Sequence, residues 1–312
     1  MFFILLLKGF IIGIAFIIPG VSGGTLAIYL GIYDKLLHSI SHLFSEFKKS
    51  IMFLIPVLMG IIVSIVLLAK LLGWLLDINS FVTLLFFVGL LLGGIPSLHT
   101  KIKGQKINLS HIFSFILSFS FVILLLISNL TNNQSETGYF NFTLSVYLLI
   151  FLLGLAASAT MVVPGVSGSA LLITLGFYTA IVTNVIGNIF DFSAIGYNLQ
   201  VVIPFGLGAL VGIFFISRLI EIALRKYASQ TYLAIIGFIL ASVIVMIFEI
   251  KDSSTAVSFT DQTPIYLNFG LFIANNLLTF VLGLMTLSLG VFTALKLVGI
   301  DRLFSHDKHQ KS

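Results

Sequence analysis

Residues 19–25 of this chain read Pro-Gly-Val-Ser-Gly-Gly-Thr, and residues 164–170 read Pro-Gly-Val-Ser-Gly-Ser-Ala. The similarity continues beyond these segments, because ten of the fifteen residues from 19 to 33 are identical to residues 164–178 at a constant offset of 145. Each copy lies within a long apolar stretch. Proline, glycine and serine interrupt helical hydrogen bonds that lipid cannot replace, so such a segment is tolerated at membrane depth where it lines a cavity or is buried in protein. The repeated segment, called the PGVSG motif below, is therefore the predicted functional site of a duplicated chain.

The composition predicts an all-α polytopic membrane protein. The mean hydropathy is +1.18, and 59% of the residues are hydrophobic while only 9% are charged, so lipid is the solvent for most of the chain. The lack of cysteine excludes disulfides, thiolate metal sites and cysteine nucleophiles. The first residues have no basic leader and no cleavage site, which predicts a chain without a signal peptide. Basic and aromatic residues do not alternate, which argues against nucleic-acid binding. The sequence predicts no cofactor and no metal ion.

Two repeats of the same plan are predicted. Past the motif the similarity continues at an offset of 148, where Gly60 matches Gly208. We expect the first repeat to span residues 1–143, and the second to span residues 144–312 with a short basic C-terminal tail. Each repeat holds one broken block and three apolar segments of about the 20 residues that a membrane crossing needs. The blocks are 1–33 and 144–183, and the segments are 51–76, 81–98, 111–130, 201–224, 232–248 and 267–297.

Loop charges predict the orientation, because membrane proteins concentrate Lys and Arg in cytoplasmic loops. Basic residues cluster in four places, whereas four other loops share a single basic residue, Lys251. Two of these other loops flank the second broken block, so this block is predicted to enter and leave at the outer face as a re-entrant hairpin. The first block is then the equivalent hairpin from the cytoplasm, the repeats are inverted as in many secondary transporters, and both termini are cytoplasmic. The basic clusters lie at 35–49, 101–106, 225–226 and 302–311, and the other loops are 77–80, 129–141, 184–198 and 251–263.

The PGVSG motif predicts a binding site for an anionic group. Its proline ends the incoming helix, its glycines permit tight geometry, and Ser22 can cap the next helix. Free amides at a helix N-terminus carry partial positive charge and suit a phosphate. The alternative is a structural kink whose glycines allow close helix packing, but two copies in opposed repeats favour binding. The predicted substrate-binding residues of the motifs are Pro19, Gly20, Ser22, Gly23, Gly24, Thr25, Pro164, Gly165, Ser167, Gly168 and Ser169; no catalytic residue is predicted.

Two basic residues occupy equivalent positions on the first full helix of each repeat. Lys70 and Arg218 are expected either to extend to the membrane interface or to serve a transport pathway, because cations are costly within a span. We expect them to guide an anionic head group. Glu221 lies three residues after Arg218, where a same-helix ion pair is easy to form. It is also the candidate residue for proton coupling.

Residues 33–50 predict an amphipathic helix on the cytoplasmic face, with apolar residues at helical spacing. Its polar side holds His38, His42 and Glu46 at intervals of four residues. This spacing could ligate a metal, but the pattern is more typical of a solvated polar face.

The chain resembles the polyprenyl-phosphate transporter family over nearly its whole length. The resemblance is carried by Gly9-x3-Gly13-x5-Pro19-Gly20-Val21-Ser22-Gly23-Gly24-Thr25 and by the second copy at residues 164–169. It implies a protein that returns undecaprenyl phosphate from the outer to the inner leaflet of the bacterial cytoplasmic membrane, for reuse in cell-wall polymer synthesis. The expected partners are this lipid and the membrane. A phosphate monoester carries about 1.5 to 2 negative charges, so inward movement against a negative-inside potential suggests protons as the coupling ion.

Two alternatives are weighed against transport of this lipid. Undecaprenyl-diphosphate phosphatases of the bacitracin-resistance type have a similar motif, Pro-Gly-x-Ser-Arg-Ser, but Gly23 and Gly168 stand where that arginine would be. The paired glutamates of that family are also missing, so phosphoryl cleavage would lack its charge stabiliser and its base. A transporter of a small anion or ion could use the same helix-end chemistry and stays open, as does the oligomeric state.

Overall fold

The computed structural model describes residues 2–16, 18, 21–131, 139–166, 168–186, 192–258 and 261–309. These residues form helices almost throughout, and a single pair of two-residue strands is found among them. In chain order the α-helices are α1 (Phe2–Ala15), α2 (Gly23–Tyr29), α3 (Tyr33–Ser41), α4 (Phe47–Ile102), α5 (Leu109–Thr131), α6 (Leu144–Val162), α7 (Gly168–Thr174), α8 (Ile195–Lys226), α9 (Ala228–Glu249), α10 (Phe269–Asn275) and α11 (Leu277–His309). The remaining elements are a π-helix (Thr179–Ile186), two 3-10 turns (Phe192–Ala194 and Ile265–Leu267) and the antiparallel strands β1 (Lys251–Asp252) and β2 (Thr263–Pro264).

The predicted all-α polytopic membrane class is confirmed. Within the described part of the chain, six helices are long and apolar enough to cross a membrane. Many large apolar side chains on their outer surfaces are exposed, as expected for helices solvated by lipid. The six helices are α4, α5, α6, α8, α9 and the first part of α11.

Helix α4 contains two of the predicted spans. At 1.5 Å per residue a straight helix of its length would extend about 84 Å, nearly three times the hydrocarbon core. Asn79 has a non-helical backbone (φ −158°, ψ 87°) and divides it into a first arm, residues 47–78, and a second arm, residues 80–102. The Asn79 side chain accepts a hydrogen bond from the Val82 amide at 3.0 Å, so it caps the second arm. The loop expected at 77–80 is therefore reduced to one residue.

Two sequence-based boundaries differ from the structure. The amphipathic helix expected over residues 33–50 ends at Ser41, and α4 begins only at Phe47 after a series of turns. The segment expected over residues 267–297 is interrupted at Asn276, where the backbone leaves the helical region between α10 and α11.

Helix α1 packs against the first arm of α4 in parallel, and α6 packs against α8 in the same way. A Cβ atom added to Gly9 would overlap the Val57 carbonyl oxygen, and one added to Gly154 would overlap the Phe205 carbonyl oxygen. Positions 9 and 154 are 145 apart, and positions 57 and 205 are 148 apart, so the duplicated glycines make duplicated contacts. Small residues let membrane helices approach to backbone contact. Helix α8 also brings a glycine to this contact, because a Cβ atom added to Gly208 would overlap the Phe151 carbonyl oxygen of α6.

Each of the remaining long helices packs against a helix of the other repeat. An added Cβ at Gly89, on the second arm of α4, would overlap the Leu287 carbonyl oxygen of α11. An added Cβ at Gly237, the equivalent position on α9, would overlap the Ser118 hydroxyl of α5. The second full helix of each repeat thus packs against the third helix of the other repeat.

The loops gather at two ends of the helix bundle. At one end, called the basic end, Asp34, Lys101 and Tyr232 line a common cavity of about 390 Å³. At the opposite end, called the distal end, the Ser80 hydroxyl donates to the Lys251 carbonyl oxygen at 2.6 Å. Phe2 lines a cavity with Lys35 and His38, which places the start of α1 at the basic end.

Candidate functional site

The two PGVSG motifs border one cavity of about 300 Å³. The first copy contributes Val21, Ser22 and Gly23, and the second copy contributes Val166 and Gly168. This cavity, called the motif cavity, lies where the ends of α1 and α6 meet the starts of α2 and α7. Its other lining residues are Ala15, Phe16, Ile18, Ala157, Thr160, Met161, Leu172, Tyr178, Val182 and Phe205.

Ser22 joins the two copies directly. Its backbone is extended (φ −103°, ψ 135°) at the position before α2, as expected for a helix cap, but its side chain makes no capping hydrogen bond. The hydroxyl instead donates to the Val163 carbonyl oxygen at 3.1 Å, across to the residue that precedes the second motif. The prediction that the Ser22 side chain caps α2 is therefore wrong. Its hydroxyl bonds to the end of α6 because a carbonyl there lacks an intrahelical donor and offers an acceptor.

Two further contacts hold the first motif against the end of α6. The Tyr33 hydroxyl donates to the Val162 carbonyl oxygen at 3.0 Å, and both groups are buried. A Cβ atom on Gly24 would lie 2.9 Å from the same oxygen, so glycine is the residue that allows this approach. The first motif thus lies against the backbone at the end of α6, directly before the second motif.

The short helices that follow the motifs end in the same way. Gly31 and Gly176 have left-handed backbones, with φ of 66° and 76° respectively. After each helix two amides donate to its last carbonyls. After α2 these bonds run from Gly31 to Ile28 at 2.9 Å and from Ile32 to Ala27 at 3.0 Å, and after α7 they run from Gly176 to Ile173 at 2.9 Å and from Phe177 to Leu172 at 3.0 Å. This is the Schellman arrangement, which favours glycine because a side chain clashes at positive φ. The repeat of the sequence is therefore also a repeat of backbone conformation.

Thr25 provides a buried polar group beside the cavity. It lies in the first turn of α2 and is fully buried. Its hydroxyl has no hydrogen-bond partner among the described residues. A buried hydroxyl without a partner is unfavourable by about 1–3 kcal/mol, although Thr25 is not among the residues that line the motif cavity.

The second copy is packed more firmly against its surroundings. Gly165 has φ of 83°, and an added Cβ would lie 2.6 Å from the Phe238 backbone of α9. The Ser242 hydroxyl donates to the Gly165 carbonyl oxygen. Pro164 is buried. Ser169 lies in α7, and the predicted site residues Pro19, Gly20 and Ser167 fall outside the described residues.

The predicted cationic guides do not reach the motif cavity. Lys70 and Arg218 are exposed on the first arm of α4 and on α8. None of the described residues that line the cavity carries a charge. Glu221 also lies elsewhere, and it contacts His38 and Ser41. The ion pair expected between Arg218 and Glu221 is replaced by this longer-range contact.

Two polar lining residues lie outside the PGVSG motifs. Tyr178 is identical to Tyr33 at the offset of 145, and this identity is the sequence signal that indicates it. Thr160 is buried on α6, and its hydroxyl donates to the Ala157 carbonyl oxygen at 2.6 Å. Nothing in the sequence distinguishes Thr160 from other threonines within apolar helices.

The motif cavity thus combines hydroxyl groups and helix N-termini with apolar walls. Such a site can donate hydrogen bonds to an oxyanion without a formal positive charge. A model of the family described as undecaprenyl phosphate translocase-like matches residues 12–263, a span that includes both motifs. The chain belongs to this family. The predicted resemblance is therefore confirmed.

Two curated relatives of this chain have the same name. A polyprenyl-phosphate transporter of Staphylococcus aureus (strain NCTC 8325 / PS 47) is 32% identical over 240 residues, which cover 76% of this chain and 83% of that protein. A polyprenyl-phosphate transporter of Vibrio cholerae serotype O1 is 30% identical over 252 residues, which cover 76% of this chain and 74% of that protein. No solved structure matches the chain with significant similarity.

Proposed function

We propose that this chain moves undecaprenyl phosphate from the outer to the inner leaflet of the bacterial cytoplasmic membrane, so that the lipid is reused in cell-wall polymer synthesis. The observation that carries the proposal is the meeting of the two PGVSG motifs at one cavity, through the Ser22 hydroxyl and the Val163 carbonyl oxygen. The names of the related transporters support the substrate class.

The motif cavity would hold the phosphate while the prenyl tail stays in lipid. Hydrogen bonds to a charged group are worth about 1.5–3 kcal/mol each, and Ser22, Thr25 and the amides of the two short helices are the proposed donors. The cavity lining offers neutral donors and no cation among the described residues. A site of this kind binds a phosphate without polarising a leaving group, which favours transport of the intact lipid over phosphoryl cleavage.

Opposed hairpins would expose the motif cavity to alternate faces. Helix α2 leads back to Tyr33 and Asp34 at the basic end. Helix α7 leads toward the distal end, because the Thr174 hydroxyl donates to the Asn129 side chain near the end of α5. These contacts support inverted repeats at 1–143 and 144–312 with re-entrant hairpins, alternating access between the leaflets, and both termini in the cytoplasm.

Lys70 and Arg218 are proposed to guide the head group between each leaflet and the cavity. Lys70 is nine residues before Asn79 at the distal end, and Arg218 is eight residues before Lys226 at the basic end. At 1.5 Å per residue each cation lies about 12–14 Å along its helix from one end of the bundle. The two exposed cations therefore serve opposite ends.

Proton coupling is part of the proposal. A charge that moves against the membrane potential requires about 2.3 kcal/mol per 100 mV, and co-transported protons would neutralise the phosphate charge. Glu221, the candidate from the sequence, lies at the basic end and does not line the motif cavity.

Transport by the purified chain in liposomes tests the proposal. Undecaprenyl phosphate is placed in one leaflet, and its arrival in the other is followed for wild type, Ser22→Ala, Ser167→Ala and Arg218→Ala. We expect a loss of about tenfold or more for the serine variants, because each removes a hydrogen bond to a charged group. Ser288→Ala is the control, because this exposed serine bonds only to its own helix at Leu284.

The same liposomes separate the alternatives. If the wild-type chain transports the lipid and all three variants transport it at the same rate, the assigned site is contradicted. Release of inorganic phosphate from undecaprenyl diphosphate would indicate the phosphatase-like enzyme. Flux of a small anion without movement of the lipid would indicate an ion transporter.

A further inference from the structure

Helix α3 and helix α8 are joined at the basic end by a cluster of three side chains, called the His–Glu cluster: His38, His42 and Glu221. His38 lies in α3 and His42 directly follows the last residue of that helix, one turn later, and their rings stack with centroids 4.2 Å apart. Glu221 is near the end of α8, and its side chain is only 13% exposed. The sequence placed both histidines on one face, but it paired them with Glu46 and did not anticipate the glutamate from the second repeat.

Both imidazoles direct the same nitrogen toward the glutamate. His38 Nδ1 lies 2.8 Å from Glu221 Oε1, and His42 Nδ1 lies 3.5 Å from Glu221 Oε2. One ligand atom from each of the three residues lies within 4.8 Å of the others. In a tetrahedral zinc site with bonds of 2.0–2.1 Å, neighbouring ligand atoms are ~3.3 Å apart. The two nitrogen–oxygen distances of 2.8 and 3.5 Å lie on either side of this value, although they run to different oxygens of the carboxylate. Because the three ligand atoms lie within 4.8 Å of one another, side-chain rotations alone would bring both Nδ1 atoms and one carboxylate oxygen around one ion.

Glu46 favours the tautomer that such a site needs. Its Oε1 lies 3.6 Å from His38 Nε2, on the side of the ring away from Glu221. A carboxylate near Nε2 stabilises the proton there and leaves the lone pair on Nδ1 for a ligand, which is the usual outer partner of a metal-bound histidine. The Lys49 ammonium donates to Glu46 at 3.3 Å.

We propose that the His–Glu cluster binds a divalent transition metal ion, of which Zn²⁺ fits best. Two imidazoles and one carboxylate form a ligand set typical of zinc, and a water molecule would complete the tetrahedron. The Ser41 hydroxyl donates to Glu221 and orients its carboxylate. The ion would cross-link the segment after the first hairpin to the first full helix of the second repeat. This site lies apart from the motif cavity, and its existence does not depend on the transported lipid.

Equilibrium dialysis of the purified chain against Zn²⁺, with metal counted by mass spectrometry, tests the proposal. The chain is purified without a histidine tag, in a background in which His306 and His309 of the tail are replaced by alanine. We expect one Zn²⁺ per chain, with affinity reduced at least tenfold in His42→Ala and in Glu221→Gln. His99→Ala is the control, because this exposed histidine lies on α4 outside the cluster. The control is expected to bind like its parent.

A second measurement does not depend on the folding of the variants. Electron paramagnetic resonance of Cu²⁺ bound to the parent chain should show coupling to two imidazole nitrogens. A parent chain that binds no Zn²⁺, equal binding by His42→Ala, or a Cu²⁺ spectrum without imidazole coupling would each overturn the assignment.

Discussion

The Ser22 hydroxyl and the Val163 carbonyl oxygen are hydrogen-bonded at 3.1 Å although 141 residues separate them in the chain. Ser22 belongs to the first PGVSG motif and Val163 directly precedes the second, so the first copy is bonded to the residue next to the second copy. A bond of this kind is worth about 0.5–1.5 kcal/mol, which is small enough to break and reform during a transport cycle. The two motifs are thus neighbours at the motif cavity, where we propose that a phosphate group contacts both.

Replacing Thr25 by valine should separate binding from stability. Valine removes the buried hydroxyl, which lacks a partner among the described residues, and keeps nearly the same volume. We therefore expect the free energy of unfolding to stay the same or to rise by up to about 1 kcal/mol, while lipid transport in liposomes falls. Thr293→Val is the control, because the Thr293 hydroxyl bonds to its own helix at Leu289. Transport at the wild-type rate in Thr25→Val would show that this hydroxyl does not contact the substrate.

Two tyrosines offer a comparison of bonds within and between the repeats. The Tyr33 hydroxyl donates to Val162 of the second repeat at 3.0 Å, and the Tyr29 hydroxyl donates to Leu91 of the first repeat at 2.7 Å. Both bonds are buried, so each change to phenylalanine should lower the free energy of unfolding by about 1 kcal/mol. Only Tyr33→Phe should alter the transport rate, because its bond lies beside the motifs. Thermal unfolding in detergent and the liposome assay measure the two effects, and equal transport by both variants would contradict this prediction.

Glycine pairs on α8 test the packing of α6 against α8. A Cβ at Gly208 would overlap the Phe151 carbonyl oxygen, whereas a Cβ at Gly206 meets nothing within 4 Å. We expect Gly208→Ala to lower the free energy of unfolding by about 1–3 kcal/mol, because backbone must move to admit the methyl group. Gly206→Ala should change it by less than about 0.5 kcal/mol. Thermal unfolding of the two variants, measured side by side, checks the difference, and equal melting temperatures would contradict the close approach.

Gly176 should tolerate asparagine better than alanine. Its φ of 76° is left-handed, which destabilises a residue with a Cβ by about 1–2 kcal/mol, although asparagine visits this region more readily. The free energy of unfolding is therefore expected to fall in the order wild type, Gly176→Asn, Gly176→Ala. Gly196→Ala is the control, because a Cβ there meets nothing within 4 Å. Indistinguishable stability of Gly176→Ala and the control would contradict the left-handed turn.

Single cysteines can determine the orientation, because the native chain has none. We expect Tyr139→Cys and Ser193→Cys, which lie before and after the second broken block, to react with a membrane-impermeant maleimide on intact cells. Lys103→Cys should react only after permeabilisation. Protection of Ser193→Cys on intact cells would mean that the block crosses the membrane completely, and the inverted repeat would then be wrong.

The elements that depend on local sequence were largely predictable. The apolar runs located the long helices, and the offsets of 145 and 148 in the sequence reappear as equivalent contacts of Gly9 and Gly154. The turn at Asn79 was expected as a loop because hydropathy falls over residues 77–80. Composition cannot show that a single non-helical residue and one capping side chain are enough to separate the two arms.

The contacts that depend on tertiary packing were missed. Helical spacing paired Glu221 with Arg218, which is three residues away, whereas the folded chain places Glu221 against His38. Ser22 was expected to cap its own helix, but the end of α6 supplies an acceptor that no local pattern indicates. Long-range partners of this kind are set by how helices pack, and sequence spacing within one helix does not record that.

The close contacts at Gly89 and Gly237 join helices of different repeats, so the chain cannot be divided between the repeats without breaking them. Each repeat, made as a separate fragment, would present to lipid a helix face whose backbone-contact partner lies on the other fragment. We therefore expect neither half to form a native helix bundle alone, and the two halves to restore one another when they are produced together. In the proposed inverted arrangement, an ancestor with a single repeat would need to assemble as an antiparallel pair, and fusion of two copies would make that pairing permanent within one polypeptide.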